Sequence, residues 1–165
     1  MAEREPAALV ATDSGMALIN PTDAKEDMDI ERAREFTEGW LRNWNAHDLD
    51  AILTHYADDV VFTSPIAKAV SPETDGVLRG KVALREYWRE GLRRIPDLRF
   101  ELVNLYVGVH SLVINYRNQR GGLVNEVLIF DGDQVVSGHG TYLDPEGNPA
   151  GLTTATPDGV ATTSG

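Results

Sequence analysis

The chain predicts an α+β domain in which helices cover one face of a curved antiparallel sheet. Three observations carry this expectation. Apolar residues recur at helical spacing in three segments before residue 96, the period changes to two at Leu98, and the connections after that point are three or four residues long. Connections that short make consecutive strands antiparallel neighbours. With 165 residues and 42% hydrophobic content, one domain with a real core is expected.

Residues 1–28 show no sustained period and mix Ala, Asp, Pro and Gly, as a flexible N-terminal arm does. In "DIERAREFTEGWLRNWNAHD", Ile30, Ala33, Phe36, Trp40, Leu41 and Trp44 fall on one helical face, with Asp29 as N-cap. "HDLDAILTHYA" reads as a second, short helix capped by Asp48, presenting Leu49, Ile52, Leu53 and Tyr56. "VVFTS" is a strand. "PIAKAVSPETDGVLRG", with its two Pro and two Gly, reads as a 16-residue loop over a cleft. "KVALREYWREGLRRI" is a third amphipathic helix, stopped by Pro96. Then "LRFELVNLYV", "SLVINYRN", "LVNEVLIF" and "QVVSGHGTYL" form four strands. Residues 144–165, rich in Pro, Gly and Thr, predict a disordered tail, which leaves 29–143 as the folded domain.

The formal charge of -11 is concentrated at the ends: residues 1–29 hold seven acids against two bases, and residues 143–165 hold three acids and no base. The middle is nearly balanced and has no Lys/Arg stripe, which argues against a nucleic-acid partner. The absence of Cys excludes disulfides, thiolate nucleophiles and Cys-type zinc sites. No His spacing supports a metal site, and nothing in the sequence calls for a cofactor. No apolar run is of membrane-spanning length, and the start lacks a basic leader region, so a cytoplasmic protein is expected.

The strings "WNAHDLDAILTHYADDVVFTSP", "LRGKVALREYWREGL" and "EVLIFDGDQVVSGHGTYL" resemble the nuclear-transport-factor-2-like superfamily, which includes SnoaL-like polyketide cyclases and bacterial ketosteroid isomerases. The resemblance spans roughly residues 30–143 and implies a cone-shaped sheet with three N-terminal helices on its concave face. It also implies a pocket in the cone and a homodimer through the outer sheet face. In ketosteroid isomerases the base is an Asp before a Pro at the end of the first strand. That position falls on Ser64 before Pro65, the oxyanion Tyr falls on Trp40, and the protonated acid on Glu126. A Ser cannot replace a carboxylate base at neutral pH, so steroid-isomerase chemistry is disfavoured. The family's supporting aromatics fall on Tyr56 and Trp88.

Read from the residues themselves, Asp58 and Asp59 are turn and surface carboxylates, because neighbours in an extended chain point to opposite faces. Glu126 differs, sharing parity with Val124, Leu128 and Phe130 on an apolar strand face. Burial there raises a carboxyl's pKa toward the range of a general acid or base. The alternative is a structural carboxylate paired with an Arg: a three-residue hairpin loop sets Tyr116 opposite Glu126, and a two-residue loop sets Arg117 there. Gly138 and Gly140 share a face with Val136 and Tyr142 and, by the family analogy, leave room for a ligand. His139 then points outward unless a one-residue bulge turns it into the cavity. Trp40, Tyr56, Trp88 and Tyr142 would bring polar tips to an apolar cavity.

The resulting expectation is a cofactor-free acid/base enzyme of cyclase, isomerase or dehydratase type, acting on a small apolar organic molecule. Glu126, Tyr56 and Trp40 are its catalytic candidates. Ser64, Trp88, Tyr116, Arg117, Gly138, His139 and Tyr142 are its binding candidates. A non-catalytic ligand-binding or dimerisation module competes with it, as does an epoxide-hydrolase-like enzyme, which needs a carboxylate–Arg–carboxylate cluster around a water: Arg117 and Glu126 supply two members, and Arg99 and Glu101 are candidates for the rest.

Overall fold

A computed structural model of the chain describes residues 9–12, 15–18, 27–144 and 146. Strands β1 (Leu9–Thr12) and β2 (Gly15–Leu18) pair as an antiparallel hairpin inside the segment expected to be an irregular arm. Of the rest of that arm Asp27 and Met28 are described, and Met28 is buried in the core with its amide donating to the Val109 carbonyl at 2.8 Å. The remainder, and nearly all of the tail expected to be disordered, lie outside the described residues.

The domain follows as α1 (Ile30–Asn45), α2 (Leu49–Leu53), β3 (Tyr56–Thr63), α3 (Pro65–Val70), a 3₁₀ turn (Pro72–Thr74), β4 (Val77–Arg79) and α4 (Lys81–Arg94). Strands β5 (Glu101–Val107), β6 (Ser111–Arg117), β7 (Leu123–Asp131) and β8 (Gln134–Tyr142) complete it. The six strands from β3 onward form one sheet in the order β4-β3-β8-β7-β6-β5. The α+β class with helices against an open curved sheet is the one expected.

Local chemistry explains the boundaries. Asp29 caps α1 by accepting from the Arg32 amide at 2.8 Å, and Asp48 caps α2 by accepting from the Ala51 amide at 3.0 Å. Ser64 caps α3 by accepting from the Ile66 amide at 3.1 Å, with Pro65 in the first helical turn, where a missing N–H costs nothing.

Four expectations need correction. The sheet is mixed rather than antiparallel, because β3 pairs with β8 in parallel. The connection over 65–80 is ordered into α3, the 3₁₀ turn and β4, which adds a fourth helix and an edge strand. Tyr56 opens β3 rather than closing α2. Asp58 and Asp59 lie in β3, not in a turn, at an irregularity of the β3–β8 register between Tyr56 and Val61. Both acids remain on the surface, and Asp58 meets Lys81 at 3.1 Å.

The inner face is sealed by fully buried side chains, among them Ile52 and Leu53 of α2, Leu84 of α4, Ile114 of β6 and Leu128 of β7. Each such side chain removed from water stabilises the fold by about 1.5–3 kcal/mol. Asn45, at the end of α1, holds the entry to β5: its Nδ2 donates to the Phe100 carbonyl at 3.0 Å and its Oδ1 accepts from the Phe100 amide at 2.8 Å. Two residues on, the ring of His47 meets the Leu98 carbonyl at 2.9 Å. Together they fix residues 98–100 over the open end of the sheet.

Candidate functional site

Between the helices and the inner sheet face lies a cavity of about 150 Å³. That is the size of a space that accepts a single aromatic ring. Its walls divide by chemistry. α1 and α4 supply Trp40, Trp44, Trp88 and Leu92, and Phe62 and Phe100 continue the apolar surface. The polar groups are Glu126, Tyr116, Tyr142, Tyr87 and Ser64, of which the first three come from adjacent strands β7, β6 and β8. At the rim stand Arg94, Asn118, Gln119 and Arg120.

Strand parity places Glu126. Buried Val124, Leu128 and Phe130 flank it on β7, and it is 5% exposed. Its direct cross-strand partners are Ile114 and Gly140, neither of which offers charge. Burial therefore pushes the carboxyl up to about 8, and a hydrogen bond from Tyr116 offsets part of that rise. Glu126 is thus mostly protonated at neutral pH. It can donate a proton as well as accept one.

Neither predicted hairpin register occurs. The loop has five residues, Asn118–Gly122, so Arg117 pairs with Leu123, Tyr116 with Val124, and Tyr116 reaches Glu126 diagonally. The Asn118 side chain organises this turn by accepting from the Arg120 and Gly122 amides, and Gly121 takes the left-handed φ of 83°. Arg117 is exposed and donates to the Gly121 carbonyl at 3.0 Å, away from the cavity. Its expected place beside Glu126 is corrected, and with it the carboxylate–Arg cluster of the epoxide-hydrolase-like reading. Arg99 and Glu101 are likewise exposed.

Ser64 is 5% exposed and faces the cavity. The Tyr87 hydroxyl approaches its Oγ at 3.5 Å, and Tyr142 hydrogen-bonds to it as well. Burial pushes the Tyr87 phenol up to about 12 and holds Tyr116 and Tyr142 well above the ordinary phenol range, with the Glu126 carboxyl adding to each. All three tyrosines therefore stay neutral donors. Trp88 lines the apolar wall and packs edge-on against Trp44 and Tyr56 at 5.0 and 5.2 Å. Trp40 lines it too, and its Nε1 donates to the Tyr56 hydroxyl at 3.2 Å. Tyr56 itself is fully buried behind that wall, so its expected contact with a ligand is corrected to a supporting position.

On β8 the two glycines separate. A Cβ on Gly138 would meet Phe62 Cδ2 at 2.8 Å, so Gly138 makes room for that ring rather than for a ligand. Gly140 is the glycine on the cavity wall, where a Cβ would stand 3.8 Å from Glu126 Oε2. A bulge does occur in β8, opposite Ile129 and Phe130, but it lies before Ser137 and turns Val135 inward instead of Val136. His139 stays on the outer face, with Nδ1 at 2.7 Å from Thr63 Oγ1 and Nε2 at 2.9 Å from Ser137 Oγ. Its placement among the cavity residues is corrected accordingly.

Tyr87, Phe100 and the 118–120 rim escaped the sequence reading. Tyr87 carried a signal, a phenol on the apolar face of a helix. Phe100 carried none, because the Asn45 clamp that positions it acts across 55 residues. Among the described residues no group of three His, Asp or Glu converges on a metal-sized site, and no helix is long and apolar enough to cross a membrane.

Comparison with known proteins gives a consistent result. A model of the SnoaL-like domain matches residues 37–161. A SnoaL-like protein of unknown function from Burkholderia thailandensis E264 is 44% identical, superposes with a TM-score of 0.68, and covers 72% of this chain and 100% of its own. A candidate polyketide cyclase from Sinorhizobium meliloti is 11% identical with a TM-score of 0.54, covering 65% of this chain and 94% of its own. TerC, co-crystallized with polyporic acid, is 12% identical with a TM-score of 0.57, covering 67% and 91%. The last two show a shared fold alone. No curated protein matches the chain.

Proposed function

The chain belongs to the SnoaL-like domain family, and from that premise we propose that it is a cofactor-free acid/base enzyme of cyclase, isomerase or dehydratase kind. The observation that carries the proposal is the protonated Glu126 at the centre of a small aromatic cavity. A carbonyl oxygen set between Glu126 and Tyr142 receives a hydrogen bond from each of these neutral groups while Tyr116 donates to the Glu126 carboxyl, and Glu126 passes its proton on as negative charge develops on the substrate oxygen. Trp40 and Trp88 hold the ring that bears the carbonyl, and Tyr56 fixes Trp40 from behind. Among the described residues the cavity wall carries no second carboxylate. The favoured substrate therefore has a carbon already acidified by its own carbonyl groups, so that Glu126 relays one proton from that carbon or its enol to the oxygen.

Benzoylacetone, a one-ring 1,3-diketone, provides the test through its enol absorbance. The native chain is expected to accelerate keto–enol interconversion, and Glu126→Gln to lower that rate by ~100-fold or more, the usual worth of a positioned acid or base. Binding, followed by tryptophan emission, is expected to survive the substitution, since all three tryptophans line the cavity. Full activity in the variant would remove the assignment. Binding without any rate enhancement in the native chain would favour the ligand-binding module.

We also propose a homodimer through the outer sheet face. One cross-strand row there runs Thr63, His139, Val127, Val113, Tyr106, and Tyr106 is 57% exposed. The neighbouring row adds half-buried Val61 and Ile129, an apolar surface of the kind that self-associates. Light scattering is expected to report twice the chain mass for the native protein, and one chain mass for Val127→Glu. A native monomer at micromolar concentration would end this reading.

A further inference from the structure

We infer that Arg120 and Arg94 make the cavity mouth an anion subsite, so that the favoured substrate is a single-ring carbonyl compound bearing a carboxylate on the side of the ring away from Glu126. The inference rests on the reading of the cavity as a ligand site and deepens it by naming the substrate class.

The charges along the cavity run against those of the chain. The sequence holds 26 acids against 15 bases, yet among the described residues the acids and bases lining the cavity are Arg94, Arg120 and Glu126 alone. Glu126 is mostly protonated at neutral pH and does not cancel the two cations. Both guanidiniums stand at the rim, where Asn118 and Gln119 add amide groups.

Neither arginine is fully matched by the protein. Arg94 donates from Nε to Glu90 at 2.6 Å, but the same carboxylate accepts from Nε and Nη2 of Arg93, each at 2.8 Å, so one negative charge serves two guanidiniums. Arg120 has no ion pair and no side-chain hydrogen bond among the described residues. Its backbone amide alone is engaged, donating to Asn118 Oδ1 at 3.0 Å in the turn that sets it at the mouth. A helix end favours cations with or without a ligand, which accounts for Arg94, in the last turn of α4. Arg120 stands on a hairpin turn, where no such field calls for it.

The spacing suits one ring. Glu126 lies three residues along β7 from Leu123, where the strand leaves the turn, so at ~3.4 Å per residue the turn stands ~10 Å from Glu126. A ring held through its carbonyl at Glu126 spans that interval and sets a carboxylate on its opposite side beneath the arginines. The planar fork of an arginine matches a carboxylate, and a cationic mouth on an acidic chain draws anions to the opening.

The test compares 4-acetylbenzoate with 4-acetylbenzamide, which keeps the ring, the ketone and the size but carries no charge. Affinity for the full chain is followed at neutral pH by tryptophan emission, since all three tryptophans line the cavity. The benzoate is expected to bind ~tenfold more tightly, as a charge-assisted hydrogen bond provides, and the preference to shrink as salt is added. Arg120→Gln is expected to reduce the ratio to ~threefold or less, the level of an exposed pair, and Arg94→Gln added to it to bring both affinities together. Arg120→Lys, which keeps the charge and loses the fork, is expected to retain part of the preference. Equal affinity for the two probes, tighter binding of the amide, or a ratio that the double variant leaves unchanged would overturn the inference and leave the cavity reading standing. If neither probe alters the emission, the two fall together. Arg120 is exposed and its side chain holds nothing in the turn, so Arg120→Gln keeps the fold.

Discussion

Between pH 5 and pH 9 the native protein is expected to lose about 3–5 kcal/mol of stability relative to Glu126→Gln, since each tenfold change in proton affinity corresponds to about 1.4 kcal/mol. In the unfolded chain a Glu releases its proton near 4.5, whereas burial holds the folded Glu126 at about 8. Between those values the folded state binds more protons than the unfolded one, so stability falls as pH rises. The contribution is fully present below 4.5 and is gone above 8. Gln keeps the size and polarity and has no proton to lose, so the variant is expected to match the native chain near pH 5 and exceed it near pH 9. The difference between the two urea-denaturation series isolates the carboxyl. The native curve alone does not, because Glu90, held at about 2 by Arg93 and Arg94, gives the opposite dependence at acid pH. A difference that stays flat with pH would mean that Glu126 ionises normally, and the acid role proposed for it would fall as well. The variant expected to be inactive is thus also expected to be the more robust one in base, as when a functional group is held in a destabilising environment.

Trp40→Ala is expected to cost about 3–5 kcal/mol, the range for removing a large buried aromatic side chain. Trp40 is 3% exposed and sits where the helical and sheet walls meet, 6.0 Å from Trp44, 5.7 Å from Phe100 and 5.5 Å from Tyr116. Its loss opens a void and releases the Tyr56 hydroxyl from its donor. Trp40→Phe reduces the void, keeping one aromatic ring while removing the N–H and part of the indole, and is expected to cost about 1–3 kcal/mol, less than the Ala variant. Chemical denaturation of the three proteins is the measurement. A loss below about 1 kcal/mol for the Ala variant would show that the surrounding rings collapse to refill the space.

The parts of the fold written in the sequence are those with a period. Alternation in β5–β8 and the Asp caps of α1 and α2 were readable because each is a local pattern with a local cause. α3 and β4 were not: a six-residue helix and a three-residue strand between prolines and glycines are too short to show a repeat. The parallel β3–β8 pairing was invisible for another reason, since local alternation says which face a residue joins and nothing about which distant strand lies alongside. The same division runs through the site. Parity along β7 was enough to turn Glu126 inward. Its neighbour depended on loop length, and a turn organised by the Asn118 side chain spans five residues where the glycines suggested fewer. Gly138 and Gly140 were correctly set on one face, but no local pattern says that Phe62, from a distant strand, fills the space above the first.

The parallel seam between β3 and β8 also governs when the cavity comes into being. Thr63 and His139 stand side by side although 76 residues separate them along the chain. During synthesis, α1, α2 and β3 emerge long before β8, and Ser64 cannot meet Tyr142 or Gly140 until the last strand has left the ribosome. Closing so distant a contact is a slow step, because the loop entropy must be lost before the contact is gained. The helices and the β5–β7 meander can form earlier, yet none of them alone brings an acid, a phenol and an aromatic wall together. A nascent chain stopped within β8 short of Gly140 would carry Glu126, Tyr116 and the three tryptophans but lack Gly140 and Tyr142, and so would not have the closed cavity.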